Sequence, residues 1–282
     1  MSARILIING NPGASTERIV SLGGEPYGEN YSEALRLFEP KLTITVLNAA
    51  DGDRLPNSVA LEDFDGIAWT GSSLSAYWEE SAVRDQIELA RAVWRSGVPS
   101  FGSCWGQQIM CQALGGEVRA NPKGIEIGVA RRISLTPAGA MHPMYAGKGP
   151  AFDALAIHKD EVISLPGGAT VLASNAMSDI QAVFLSGEGD FWGVQYHPEF
   201  DLHMIATLLQ RDTAALVKQG LFAKEADVAG VVADFEALHK DPKRSDLAWR
   251  YGIDADVLDP KRRMAEFGSW LRRKALPRAA AR

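Results

Sequence analysis

Short apolar runs alternate with helical stretches over the first 114 residues, and several of these runs end in turns. Residues 5–8 read Ile-Leu-Ile-Ile and stop at Asn9-Gly10, and residues 67–70 stop at Gly71. Residues 79–95 place apolar side chains at a helical spacing. Strands that alternate with helices form a parallel sheet covered by helices on both faces, so the sequence predicts a three-layer α/β fold. Further predicted elements are strands at 43–47 and 100–102 and a helix at 29–39.

The middle of the chain is rich in strand signals. A turn at residues 186–190 joins two of these strands into a hairpin. We therefore expect an antiparallel extension of a mostly parallel central sheet, followed by a helix at 202–219. The strands predicted here are 127–135, 171–174, 181–185 and 191–195.

The last quarter of the chain is charged and helical, without strand signals. We place a boundary near residue 220, between a domain at 1–220 and a helical appendage at 221–282. The aromatic residues of 221–282, which include Trp249 and Trp270, predict packing on the first domain or across a homodimer. The basic runs are typical of solvated helix faces, and a docking surface for a partner is the open alternative. Residues 277–282 are expected to be frayed.

Composition argues against several classes of function. The net charge of −6 comes without a basic stripe, so nucleic acid is not expected as a partner. No apolar run approaches the ~20 residues of a membrane helix, and the run at 4–9 is too short for a signal peptide. Cys104 and Cys111 would lie roughly 10 Å apart on a helix, too far for a disulfide. We predict a reduced, cytoplasmic protein, with no metal and no cofactor because no cysteine/histidine cluster has metal spacing.

Residues 102–106 read Gly-Ser-Cys-Trp-Gly, directly after a predicted strand and before a predicted helix. This is the context of a nucleophile elbow, in which glycines permit a tight turn and the nucleophile stands at a helix N-terminus. The positive end of the helix dipole there favours a thiolate. Cys104 is therefore the predicted nucleophile, and Cys111, without such flanks, is predicted to pack in the core.

A cysteine nucleophile requires a base, and residues 194–199 (VQYHPE) supply a candidate at the end of a strand. His197 can accept the thiol proton, and Glu199 can orient the imidazole. Taken alone, the same residues could form a surface turn. The oxyanion of the reaction needs N–H donors. We predict the backbone N–H groups of Trp105 and Gly71, although the Gly71 loop could also be an ordinary strand-ending turn.

Together these residues resemble the class I (triad) glutamine amidotransferases, and within them the GMP-synthetase-like glutaminase branch. The resemblance covers about residues 5–210, and its most specific parts are the CxGxQ and QxHPE patterns. The matching segments are Thr70-Gly71-Ser72, residues 101–108 (FGSCWGQQ), Leu114-Gly115-Gly116, residues 124–128 (GIEIG), His158-Lys159-Asp160, Ser174-Asn175 and residues 193–199 (GVQYHPE).

The resemblance implies a flavodoxin-like sandwich and a set of roles. Cys104, His197 and Glu199 would form the catalytic triad, with Gly71 and Trp105 at the oxyanion hole. The resemblance also implies three substrate-binding positions, Gln108, His158 and Asp160. His158 could equally be a capped loop residue. The chain departs from the family at Gly71-Ser72, where Gly-Gly is common, and at residues 12–28, which are longer and more glycine-rich than a minimal first loop.

The resemblance implies hydrolysis of glutamine to glutamate and ammonia. The chain has neither an SGGVDS loop nor a G-x-x-x-x-G-K-[ST] segment, so we expect ammonia to pass to a separate synthetase in trans. The alternative enzyme is a stand-alone hydrolase of γ-glutamyl amides or peptides. A binding or regulatory protein on an inactive scaffold is the third interpretation, and the intact Cys104, His197 and Glu199 argue against it.

Overall fold

A computed structural model describes residues 2–282, and the strands it contains build one large and one small sheet. The strands are β1 (Arg4–Asn9), β2 (Thr43–Asn48), β3 (Gly66–Trp69), β4 (Ser100–Ser103), β5 (Glu117–Ala120), β6 (Glu126–Leu135), β7 (Ala151–His158), β8 (Asp160–Ser164), β9 (Ala169–Ser174), β10 (Ala182–Ser186) and β11 (Asp190–Val194).

Helices flank these strands and make up the C-terminal part of the chain. They are α1 (Gly13–Ser21), α2 (Tyr27–Arg36), α3 (Ser81–Arg95), α4 (Trp105–Ala113), α5 (Pro137–Met141), α6 (Leu202–Lys218), α7 (Glu225–Lys240), α8 (Ser245–Tyr251), α9 (Ala255–Leu258), α10 (Pro260–Arg263), α11 (Ala265–Trp270) and α12 (Leu276–Ala280), with a π-helical turn at Leu271–Ala275 between the last two.

The large sheet has nine strands in the order β2-β1-β3-β4-β11-β10-β9-β6-β7. Strands β2, β1, β3, β4 and β11 pair in parallel. The remaining strands, from β10 to β7, add to the sheet in antiparallel fashion. The predicted three-layer sandwich with a mostly parallel centre and an antiparallel extension is therefore confirmed. Strands β5 and β8 form a separate antiparallel pair.

Strand β1 shows how the sheet divides the core. Its side chains alternate, so that Ile5 and Ile7 pack in one apolar cluster and Leu6 and Ile8 in another. The first cluster is closed by α2 and α11, and the second by α3 and α4. A third cluster lies between α6, α7 and the antiparallel end of the sheet. The predicted nucleophile, Cys104, lies where β4 meets α4, near the centre of the parallel part.

Several segments differ from their sequence predictions, and strands β5 and β8 were not predicted. Residues 12–28, expected to form a glycine-rich loop, contain α1, which buries only Ile19 and therefore lacks an apolar period. Strand β7 was not predicted because its alanines have weak strand propensity. Residues 277–282 are not frayed, because α12 lies there and Arg282 donates to the carbonyl oxygen of Asp63 at 2.8 Å. Trp249 does not pack, since it is 89% exposed, whereas Trp270 is fully buried.

The C-terminal helices pack directly on the large sheet. A Cβ atom added at Gly66 of β3 would lie 2.7 Å from Trp270, so the strand has no room for a side chain there. The Phe267 ring packs 4.8 Å from that of Phe101 in β4.

No helix within residues 2–282 has the length and apolar character needed to cross a membrane. The boundary near residue 220 stays a prediction.

Candidate active site

The elbow at Cys104 is a tight turn between β4 and α4. Cys104 has φ 49° and ψ −101°, a left-handed backbone conformation that is uncommon outside glycine and costs about 1–3 kcal/mol. Side chains at Gly102 or Gly106 would collide with neighbouring backbone, at 2.7 Å and 2.8 Å respectively. The Cys104 N–H donates to the carbonyl oxygen of Val194 at 2.7 Å, which ties the elbow to β11. The two glycines therefore permit the turn that presents the thiol.

Cys104, His197 and Glu199 come together at this elbow. His197 Nδ1 lies 2.7 Å from Glu199 Oε1, and all three residues are buried. A carboxylate accepts, so Nδ1 carries the proton and Nε2 is left to exchange one with Cys104 or a substrate. The His197 N–H donates to the carbonyl oxygen of Leu155, and the imidazole stacks on Phe200 at 4.0 Å. The ring is thus held from both its backbone and its face.

The electrostatics of the site favour a protonated His197. Burial favours the neutral imidazole. The charge of Glu199 and the interactions with Cys104 outweigh burial and raise the pKa of His197 to about 10. At neutral pH an imidazolium therefore stands beside the sulfur, which is the charge distribution a cysteine nucleophile requires.

Ser103 and Tyr31 support Glu199, and neither residue was predicted from the sequence. Ser103 Oγ donates to Glu199 Oε1 at 2.9 Å, the same oxygen that accepts from His197. The Ser103 N–H donates to the Tyr31 hydroxyl at 3.0 Å, and that hydroxyl donates to the carbonyl oxygen of Trp69 at 2.8 Å. The position of Ser103 beside the nucleophile was the available signal, but only the folded chain brings Tyr31 to it.

Replacing Ser103 by alanine is expected to shift the pH profile of hydrolysis. Without this donor the Glu199 charge is less compensated and attracts the imidazolium more strongly, so the pKa of His197 rises further. In the unmodified protein kcat/KM should fall as pH rises through about 10, where His197 loses its proton. In Ser103→Ala this fall should move to higher pH, and kcat/KM at neutral pH should drop by about tenfold, the scale of a hydrogen bond to a charged group.

The pH profile of kcat/KM, with NMR titration of the ¹⁵N-labelled His197 ring, measures both effects. Ser100→Ala is the matched control, because Ser100 is buried in the same strand but its hydroxyl faces the carbonyl oxygen of Asp190. Coincident profiles for Ser103→Ala and the unmodified protein would contradict the role of Ser103.

The predicted oxyanion donors lie beside the triad. A Cβ atom at Gly71 would lie 2.6 Å from His197 Cε1, so this backbone runs against the imidazole. Trp105 is the first residue of α4, where N–H groups have no partner within the helix. Across residues 2–282, neither the Gly71 nor the Trp105 N–H donates to another protein group. Their role as donors to an oxyanion stays a prediction.

The three predicted substrate-binding residues meet at one wall of the site. Gln108 Nε2 donates to the carbonyl oxygen of Asp160 at 3.2 Å, and His158 Nδ1 lies 3.0 Å from the same oxygen. The Asp160 carboxylate accepts from Ser75 at 2.6 Å and from Tyr77 at 3.1 Å. These hydrogen bonds hold the three side chains in place beside the cavity. The role of Gln108, His158 and Asp160 in substrate binding stays a prediction.

His158 is anchored from both ring nitrogens. Nε2 lies 2.8 Å from Glu126 Oε2, and Nδ1 faces the Asp160 carbonyl oxygen. Glu126 also accepts from Asn175 at 2.7 Å and from Gln181 at 2.8 Å. Burial opposes the charge of Glu126, but these donors lower its pKa. Contact between His158 and a substrate would therefore use the edge or face of its ring.

A cavity of about 520 Å³ opens above the Cys104 thiol and the His197 ring. This volume is in the range of small-molecule sites. Its lining includes the loop at 72–74, Gln108 and residues 157–160. It also includes residues of α1, the start of α2 and the C-terminal half of α6, which no sequence motif connects with the site.

Comparison with known proteins shows the family of the chain. The model of the glutamine amidotransferase class-I family matches residues 27–213. A γ-glutamyl-L-1-hydroxyisopropylamide hydrolase from a Pseudomonas species is 36% identical over 223 residues, which cover 78% of this chain and 75% of that protein. The chain belongs to the class I glutamine amidotransferase family. Every candidate triad, oxyanion-hole and substrate-binding residue of this family member lies within the matched range.

Two further proteins are similar to this member of the family. A glutamine-hydrolyzing GMP synthase subunit of Sulfurisphaera tokodaii is 31% identical over 139 residues, which cover 49% of this chain and 69% of that protein. The solved structure of a glutamine amidotransferase from Thermotoga maritima shares the fold, with a TM-score of 0.68 at 18% identity, over 95% of this chain and 99% of that one. Because it covers 95% of this chain, the shared fold includes most of the C-terminal helices.

Proposed function

We propose that the protein hydrolyses the side-chain amide of γ-glutamyl compounds, glutamine among them, through a thioester on Cys104. The observation that carries this proposal is the geometry at the floor of the cavity, where Cys104, His197 and Glu199 meet beside the N–H groups of Gly71 and Trp105. The similarity to a γ-glutamyl amide hydrolase of Pseudomonas supports the substrate class.

The first half of the reaction forms the thioester. The Cys104 thiolate attacks the amide carbon, and the carbonyl oxygen becomes an oxyanion between the Gly71 and Trp105 N–H groups. The carbon–nitrogen bond then breaks as the His197 imidazolium gives its proton to the leaving amine. Glu199 holds the imidazole in the orientation that points Nε2 at the reacting atoms.

The second half releases glutamate. His197, now neutral, takes a proton from a water molecule as its oxygen attacks the thioester carbon. The carbon–sulfur bond breaks, the sulfur leaves as thiolate, and the imidazolium is restored. The net reaction consumes one water and yields glutamate and an amine, which is ammonia when the substrate is glutamine.

A second candidate function is ammonia supply to a separate synthetase. The similarity to the GMP synthase protein of Sulfurisphaera tokodaii, whose name denotes one subunit of a synthetase, favours it. The chemistry on Cys104 would be identical, and only the fate of the ammonia would differ. The synthetase partner, the homodimer and the cytoplasmic location all stay predictions.

One assay separates these functions. The purified protein alone is incubated with glutamine and with γ-glutamylethylamide, and the release of glutamate and amine is measured. A hydrolase that needs no partner should turn over γ-glutamylethylamide at least as well as glutamine. A protein specialised for ammonia supply should favour glutamine by about tenfold or more. Hydrolysis of neither compound would contradict the proposed reaction.

A further inference from the structure

Part of the cavity lining is formed by residues outside the triad and outside the predicted substrate-binding positions. We call this part the amine wall and define it by Arg18 of α1, Tyr27 of α2, and Arg211, Asp212 and Leu216 of α6. It lines the same cavity as Cys104, Gln108 and residues 157–160. Its contacts and charges indicate which part of a substrate it would meet.

The amine wall lies on the His197 side of the thiol. The His197 ring stacks on Phe200 at 4.0 Å, and Phe200 packs against Tyr27 at 5.3 Å. The Tyr27 hydroxyl in turn lies near Arg211, whose positive charge lowers the pKa of that hydroxyl. A chain of contacts therefore leads from the proton donor of the reaction to the guanidinium group of α6.

His197 must reach the nitrogen that leaves, because it protonates that nitrogen when the amide bond breaks. Any group carried on the nitrogen then extends from His197 along the amine wall. Ammonia carries no such group, so the leaving nitrogen of glutamine makes no contact of this kind. The wall therefore suits a substituted amine.

The charges on the amine wall indicate the end group of that substituent. Arg211 Nε and Nη2 donate to the Asp212 carboxylate at 2.9 Å and 2.7 Å, so these two charges are paired. Arg18 is exposed at the mouth and donates to the carbonyl oxygen of Arg211 at 3.0 Å, which leaves its positive charge uncompensated within the wall. Burial raises the pKa of Tyr27 to about 12, against the charge of Arg211, so its hydroxyl remains a proton donor. Two arginines and one aspartate thus give the wall a net positive charge, together with several hydrogen-bond donors.

We propose that the amine wall binds a carboxylate on the leaving amine, so that γ-glutamyl amino acids are the preferred substrates. This inference rests on the proposed function and adds the class of leaving group. Hydrolysis of a γ-glutamyl amino acid breaks the amide bond, releases the amino acid with the proton from His197, and consumes one water to release glutamate. Arg18 supplies the charge that selects a carboxylate over an uncharged group.

Two substrates that differ only in that group test the inference. γ-Glutamylglycine and γ-glutamylethylamide have the same amide and the same first carbon on nitrogen, and they differ by a carboxylate in place of a methyl group. The ratio of their kcat/KM values is measured in the unmodified protein, in Arg18→Gln, and in Arg36→Gln. Arg36 is the matched control because it is exposed at the end of α2 and does not line the cavity.

The unmodified protein should favour γ-glutamylglycine by about tenfold or more, the scale of one charge-assisted contact. Arg18→Gln should bring the ratio close to one, and Arg36→Gln should keep it. A ratio of one or below in the unmodified protein would overturn the inference, as would an equal loss of preference in both variants. In these cases hydrolysis itself continues, so the proposed function survives. Absence of hydrolysis with both substrates would overturn the proposed function and this inference together.

Discussion

Replacing Cys104 by alanine is expected to abolish amide hydrolysis and to leave the fold intact. The thioester cannot form without the sulfur, and loss of a nucleophile typically costs several orders of magnitude in kcat, about 10⁴-fold or more. Alanine keeps the backbone strain of the elbow unchanged, and the glycines at 102 and 106 that permit the turn remain. Glutamate release and the melting temperature measure the two parts of this prediction.

Cys111 provides the matched control for Cys104. It is fully buried in α4, and burial raises the pKa of its thiol to about 12, so it remains an unreactive thiol at neutral pH. A glutamine analogue that alkylates thiols should label Cys104 and spare Cys111, as read by peptide mass spectrometry. Cys111→Ala should keep the activity of its folded fraction. Undiminished hydrolysis in Cys104→Ala would refute the mechanism.

Truncation after Gln219 is expected to unfold the protein. The C-terminal helices bury Phe267, Trp270 and Leu271 against the sheet, and removal of one such side chain typically costs about 3–5 kcal/mol. The stability of a folded domain is only about 5–15 kcal/mol in total. The truncated chain should therefore show no cooperative thermal transition by circular dichroism and no activity.

Two tryptophans in the same segment make this prediction sharper. Trp270→Ala should lower the melting temperature by roughly 6 °C or more, because Trp270 is fully buried against β3. Trp249→Ala should leave it unchanged, because Trp249 is 89% exposed. If the truncated chain instead melts cooperatively at the original temperature, residues 221–282 are an independent appendage. Equal melting temperatures for the two tryptophan variants would also contradict the packing role.

The features of the site that could be predicted from the sequence depend on residues that are close together in the chain. The elbow needs glycines two positions before and after Cys104. His197 and Glu199 are also close in the sequence, and a turn in which the Phe200 N–H donates to the carbonyl oxygen of His197 brings their side chains together. Such requirements are visible in a short segment. The strand that carries each group was predicted for the same reason, from apolar runs that end in turns.

The parts that could not be predicted depend on contacts between distant residues. Tyr31 reaches Ser103 only after α2 packs on the sheet, and Arg211 reaches the cavity only because α6 lies against α1. Trp249 and Trp270 look alike in the sequence, since each lies in a charged helical stretch, yet one is exposed and the other is buried. Burial at these positions is decided by the tertiary arrangement and not by local pattern.

The packing of α11 against β1, β3 and β4 has a consequence for how the protein is made. The ribosome synthesises these strands well before residues 265–275, which cover them. During most of translation one face of the sheet therefore lacks its partner, and Phe101 and the apolar residues of β1 are open to solvent or to chaperones. A chain whose translation stalls before residue 265 would carry every triad residue but would lack the helices that cover this face of the sheet.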